Sequence, residues 1–192
     1  MPEPLRLADL DPQRIADAVL NLVYDRVYRD TWRLGLVALV ADAGQDEKSA
    51  LSMALGRSEV RRAALVLAEW ATSGRGQAAE IPTLLRQVRA DLDGIDAMKA
   101  STRGPVDLTT LPGMALVAAG ARLALFEGRT VSAVELATLA SLDEHSVRAA
   151  VKAGTLRPVG RGRPMRFAAD LACAYLYTRG VAGFAAPGAP TP

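Results

Sequence analysis

The chain has 192 residues, with 23 Lys or Arg against 21 Asp or Glu, a formal charge of +2 at pH 7, and half of its residues hydrophobic. That length carries one domain or two small ones with real cores, while a lone cysteine, Cys173, excludes a disulfide framework or a cysteine-built metal site within one chain. No uncharged apolar run approaches the ~18 residues that span a bilayer: 34–41 is too short, and 114–121 is ended by Arg122.

Met1-Pro2-Glu3-Pro4 lacks the charged-then-apolar pattern of a leader, so the expected setting is a reducing cytoplasm, with no membrane partner. Alanine supplies much of the apolar content, and aromatic residues only 5%. Few β-branched runs accompany it, which favours helix. The expected fold class is all-α: an N-terminal helical bundle plus a C-terminal winged helix-turn-helix with a small β-hairpin. The expected divisions are a helical assembly or partner domain over 1–103, a connector helix over 104–128, the winged module over 129–181 and a disordered tail over 182–192.

In chain order, residues 1–10 form a proline-bearing opening stretch. Asp11-Pro12 marks a helix start, with Asp as N-cap and Pro in the first turn. Ile15, Ala18, Val19, Leu22, Val23 and Val27 make its apolar stripe. Asp30-Thr31 predicts the cap of a second segment over 32–41, apolar nearly all round. A short helix over 46–55 follows, then one capped by Ser58 with Val60, Ala64, Leu67 and Ala68 inward, then a loop at Ser73-Gly74-Arg75-Gly76. A longer helix starts near Glu80 with Pro82 in its first turn. Its stripe of Leu84, Leu85, Val88, Leu92, Ile95 and Met98 is read as packing in its own core rather than between subunits. Gly94 weakens that helix by ~1 kcal/mol relative to Ala. Ser101-Thr102-Arg103-Gly104-Pro105 is the best domain boundary. The connector helix then runs from Leu111 or Pro112 to Glu127, stops at Gly128, and is expected to pack on the module that follows.

The most informative stretch is 130–181. Ser132 and Glu135 have the capping-box spacing, and Leu136, Leu139 and Ala140 share one face of the helix they open. The run breaks at Ser141-Leu142. Asp143 then caps a second helix with Val147, Ala150 and Val151 inward, and Gly154 closes it from a left-handed position. Two helices joined so tightly form a helix-turn-helix. Residues 155–159 and 164–167 are short extended runs around Gly160-Arg161-Gly162-Arg163, which predicts a hairpin with an arginine-bearing tip. A closing helix opens at Ala169-Asp170-Leu171, with Leu171, Tyr175 and Leu176 at helical spacing.

This stretch resembles the winged helix-turn-helix of the excisionase and MerR-type superfamily. The matching pieces are Thr130-Val131-Ser132, Glu135-Leu136-Ala137, Ser146-Val147-Arg148, Gly154-Thr155-Leu156, the arginine loop and Asp170-Leu171. The resemblance covers the last third of the chain. It departs from the family at Ser141, where the family often has Gly, and in its alanine-rich helices. It implies double-stranded DNA as the partner, and an excisionase-like accessory role that bends DNA as one alternative.

Charge agrees with that implication. Residues 129–180 hold eight Lys or Arg and four acids, and 155–167 hold four arginines and no acid, the footprint of a module that meets phosphate. On the second helix, Glu144, His145, Ser146, Arg148 and Lys152 are the candidate base or phosphate contacts. Arg148 is suited to a bidentate grip on guanine, worth ~1–3 kcal/mol, and Glu144 to cytosine N4 or merely to the helix dipole. Ser146 bonds a phosphate or caps the helix, and His145 is a solvent-facing polar residue. Arg161 and Arg163 at the loop tip are read as minor-groove or phosphate contacts, with Arg157 and Arg166 flanking them on the backbone. Val147, Val151, Leu156 and Phe167 are read as core.

No phosphate-binding Gly-Lys-Ser/Thr loop, Gly-x-Ser-x-Gly elbow or His-Glu-x-x-His occurs, so an enzyme is not expected, nor any cofactor. The expected function is sequence-specific DNA binding, by a homodimeric transcriptional regulator assembled through its N-terminal helices. The rival from another class is a protein-interaction module whose helix-turn-helix fold reads no DNA. The N-terminal helices carry no diagnostic motif. An unidentified protein or small-molecule partner is open for them, although Trp32 and Trp70 read first as core.

Overall fold

A computed structural model of the chain describes residues 7, 10–33, 46–96, 110–160 and 162–185. Among these are eight helices and one two-stranded sheet, a mainly helical protein. α1 (Pro12–Arg33) opens where Asp11 accepts the Gln13 N–H at 2.9 Å. It buries Ile15, Ala16, Val19 and Val23. The helix does not stop at Asp30-Thr31. The Asp30 carboxylate turns back to Arg26, 3.7 Å away at i,i+4, and pairs along the helix instead of capping a new one. The rest of the apolar segment expected over 32–41 lies outside the described residues.

α2 (Glu47–Gly56) starts one residue after the expected position, with Asp46 outside it as the cap that accepts from the Ser49 N–H. α3 (Glu59–Ser73) begins at its expected cap, Ser58, which accepts from the Arg61 N–H. Ala63, Ala64, Leu67, Ala68, Trp70 and Ala71 are buried on α3, and Gly74 closes it at φ +75°, a left-handed conformation that favours glycine. α4 (Ile81–Asp96) buries Ile81, Leu85 and Val88 in the chain's own core, with Leu84 and Leu92 packed beside them; Met98 falls outside the described residues.

α5 (Leu111–Phe126) organises the molecule. Thr110 caps it by accepting the Gly113 N–H at 3.2 Å. The helix has no polar face, and a helix apolar all round belongs in an interior. Met114, Leu116, Leu123, Leu125 and five alanines are buried on it, whereas Phe126 at its end is exposed and meets the Trp70 ring edge-on. α5 packs on the elements that follow it, as expected of a connector, and also on α1, α3 and α4. One hydrophobic cluster therefore runs from Leu7 to Leu176, and each Leu, Val, Ile or Phe fully buried in it contributes about 1.5–3 kcal/mol. The boundary expected at 101–105 lies outside the described residues.

Beyond α5 come β1 (Val131–Ser132), α6 (Ala133–Leu139), α7 (Glu144–Lys152), β2 (Arg166–Phe167) and α8 (Ala169–Thr178). The sheet differs from the expected hairpin. β2 pairs antiparallel with β1, Val131 opposite Phe167 and Ser132 opposite Arg166, while 155–159 form no strand. Two local effects explain this. The Thr155 and Leu156 N–H groups bond back to the Ala150 carbonyl at 3.0 and 3.3 Å and carry Leu156 into the core, and Pro158 has no N–H to give a ladder. One bond, Val159 N–H to the Arg166 carbonyl at 2.8 Å, still ties the two limbs of the loop.

On α8, Ala172, Tyr175 and Leu176 are buried, whereas Leu171, at helical spacing with the last two, is exposed. The chain expected to be disordered from 182 also starts with a fixed place, because Gly183 lies against the Ser73 carbonyl and Phe184 covers Arg122. Residues 186–192 lie outside the described residues.

Candidate nucleic-acid interface

Local chemistry sets where α6 and α7 begin and how the chain turns between them. The Ser132 N–H donates to the Glu135 carboxylate at 2.6 Å and the Glu135 N–H to the Ser132 hydroxyl at 3.2 Å, a complete capping box. α6 then buries Leu136, Ala137 and Leu139. At the turn, Ser141 stands at φ +53°, and the Leu142 N–H reaches back to the Ala137 carbonyl at 2.9 Å. Asp143 caps α7 through the Ser146 N–H at 2.6 Å. That backbone bond, joined by one from the Ser146 hydroxyl, holds the Asp143 carboxyl below the ordinary aspartate range. α7 ends at Lys152, with Ala153 as its C-cap and Gly154 turning the chain just beyond at φ +77°.

Val147 is fully buried and fixes the inner face of α7, with Ala150 and Val151 packed against the same core. Leu156 and Phe167 are buried as expected, and Val151 only half so. The outer face carries His145, Arg148, Ala149 and Lys152, all exposed. Arg157 and Arg163 are exposed on the loop that follows. Arg161 lies outside the described residues.

Several of these side chains are already engaged. The Arg148 Nε–H and Nη2–H both donate to the Glu144 Oε1, at 3.1 and 2.6 Å. Ser146 gives its N–H to Asp143, so that residue takes part in the cap of α7. Lys152 sits in the last turn of α7, where a cation also suits the helix dipole. Arg166 shows a role that its sequence position did not suggest. Its Nε–H donates to the Thr130 hydroxyl at 2.9 Å and its Nη2–H to the Thr130 carbonyl at 2.8 Å, clipping β2 to the residue that precedes β1. The partner is 36 residues away, beyond the reach of any local pattern.

Elsewhere, a cleft of about 660 Å³ opens between α1 and α2, lined by Asp17, Asn21, Tyr24, Ser52 and Arg61 among others. Tyr24 stacks on Tyr28 at 5.8 Å between centroids. Trp70 is core: its Nε1–H donates to the Ala119 carbonyl at 3.3 Å inside the bundle. The Trp32 side chain lies outside the described part. Among the described residues no group of three or more His, Cys, Asp or Glu is placed to hold a metal ion, and no helix is long and apolar enough to cross a membrane.

Compared with family models, with curated proteins and with solved structures, the chain matches none.

Proposed function

We propose that this chain is a sequence-specific DNA-binding protein, a homodimeric transcriptional regulator in which α6 and α7 act as a helix-turn-helix and the 155–165 loop as a basic wing. The observation that supports this most is the two-sidedness of α7: Val147 is anchored in the core, while Arg148 and Lys152 stand exposed on the opposite face. Such a helix can enter a major groove without unpacking anything. Arg157 and Arg163 extend the same positive character onto the adjoining loop, where they would meet phosphate. The Asp143 cap sets the start of the reading helix, and the Ser132 cap that of the helix before it, without any partner.

Dimerisation through the N-terminal helices follows from energetics. One small module grips DNA modestly, and two linked half-sites raise the affinity through effective concentration. The test is a binding selection from random duplexes at two salt concentrations. A two-fold symmetric motif, with affinity falling steeply as salt rises, is the expected result. Absence of any enriched motif, or a monomer at micromolar concentration that holds one half-site tightly, overturns the reading in whole or in its dimeric part.

A further inference from the structure

Glu144 and Arg148 stand one turn apart on the outer face of α7, and their pairing has a particular form. A guanidinium has two edges that can each make paired hydrogen bonds, a side edge through Nε and one terminal nitrogen, and an end edge through both terminal nitrogens. Here the Nε–H and Nη2–H both converge on one carboxylate oxygen, Glu144 Oε1, at 3.1 and 2.6 Å. The side edge is therefore filled and the end edge is open. Arg148 is the more exposed partner, its side chain 60% accessible against 39% for Glu144, so the open edge belongs to the outer residue of the pair. Glu144 occupies the first turn of α7, where a carboxylate suits the positive end of the helix.

We propose that Glu144 is a positioning residue that presents the end edge of Arg148 to guanine N7 and O6, so that the pair acts as one reading unit. This rests on the DNA-binding reading above and deepens it by naming the base and the side chain that orients its reader. An arginine on a flexible stem loses rotamer freedom when it docks. One already fixed by a neighbour loses less, and its remaining donors are those that match a guanine edge. An ordinary exposed i,i+4 ion pair would instead contribute a few tenths of a kcal/mol to the helix and leave base choice untouched.

The test uses the full chain and the duplex recovered by selection, with each guanine of a half-site replaced in turn by 7-deazaguanine, which lacks the N7 acceptor. The wild type is expected to lose about tenfold in affinity at one guanine, and Arg148→Ala to show no penalty there. Glu144→Gln and Glu144→Asp are both expected to shrink the penalty severalfold, the latter because it keeps the charge but not the reach. Their salt slopes should equal that of the wild type, since every phosphate stays neutralised as before, and a thermal melt confirms that each variant is folded. If Glu144→Gln keeps or increases the full penalty, the carboxylate is a bystander or a competitor for the guanidinium, and the proposal fails while the functional reading stands. If the wild type binds no duplex at all, both fail together.

Discussion

The ring of Phe184 lies over the guanidinium of Arg122, with Cζ 4.5 Å from the ring centroid. Arg122 is 4% exposed, in the middle of the apolar helix α5. Its Nη2–H reaches the Ala71 carbonyl at 3.4 Å, while Nε and Nη1 find no hydrogen-bond partner among the described residues. Burial lowers its pKa to about 10, so the group is still charged at pH 7. Two glycines make room for it: a Cβ at Gly74 would stand 2.8 Å from Nη1, and one at Gly183 2.7 Å. The ring face thus supplies what a carboxylate would supply elsewhere, an electron-rich surface against a desolvated cation.

Removing the ring leaves the cation bare. Phe184→Ala is expected to lower unfolding stability by about 2 kcal/mol, the upper range for a desolvated cation–π contact, in a denaturant melt. Arg122→Met keeps the apolar stem and deletes the buried charge, and replacing buried charge by a hydrophobe of similar volume is commonly neutral or stabilising. Its melting temperature should hold or rise. In the Arg122→Met background, Phe184→Ala should become milder, and an unchanged loss would mean that Phe184 acts by packing alone.

Ser141 is the one non-glycine residue with positive φ among the described residues, at +53°. Left-handed backbone costs a side-chain-bearing residue about 1–2 kcal/mol, partly offset in glycine's case by its greater freedom when unfolded. Ser141→Gly should therefore raise stability by about 0.5–1 kcal/mol in a denaturant melt. A drop would show that contacts of the serine side chain outweigh the strain.

What could be read directly from the chain was what local chemistry decides. Ser58, Ser132 with Glu135, and Asp143 each cap the helix expected of them, because the donor and acceptor lie within three residues of each other. Where a competing partner was available, local reading failed. Asp30 had Arg26 one turn back, and the extended run at 155–159 lost to the pull of Leu156 into the core. Pairings across distance carried no signal at all: β1 with β2, Arg166 with Thr130, and Phe184 with Arg122. In the candidate site, the exposed residues of α7 were legible from helical periodicity. The bond that joins Glu144 to Arg148 was present in their spacing, yet each residue alone suggested a different base.

The cap of α7 should be sensitive to acid. Accepting the Ser146 N–H holds the Asp143 pKa down in the folded state, so the folded value lies below the unfolded one of about 3.9. The contribution is then fully present above the unfolded value and is lost as pH falls through the folded one. A carboxyl ¹³C NMR titration should place the Asp143 midpoint below that of an unstructured aspartate. In Asp143→Asn, which keeps a good N-cap, this acid-dependent loss should disappear while the helix remains. A midpoint at or above the unstructured value would rule out the cap in solution.

Arg166 and Arg163 provide the sharpest contrast, since the sequence reads both as contacts to DNA and the structure engages only one of them elsewhere. Arg163 is exposed, whereas Arg166 clips Thr130 through two hydrogen bonds. If Arg163 or Lys152 neutralises a phosphate, Arg163→Ala or Lys152→Ala should weaken binding about equally on all duplexes and reduce the salt slope by ~0.9 for each phosphate left without its cation, with little change in melting temperature. Arg166→Ala should behave the other way. Each of its hydrogen bonds is worth about 0.5–1.5 kcal/mol net, so its loss should appear in thermal unfolding before it appears in the salt slope. Binding isotherms at four or more salt concentrations, set beside thermal melts of the same variants, separate the two. An Arg163→Ala slope equal to that of the wild type would remove Arg163 from the interface, and the same result for Arg157→Ala would leave α7 to carry binding without those two arginines.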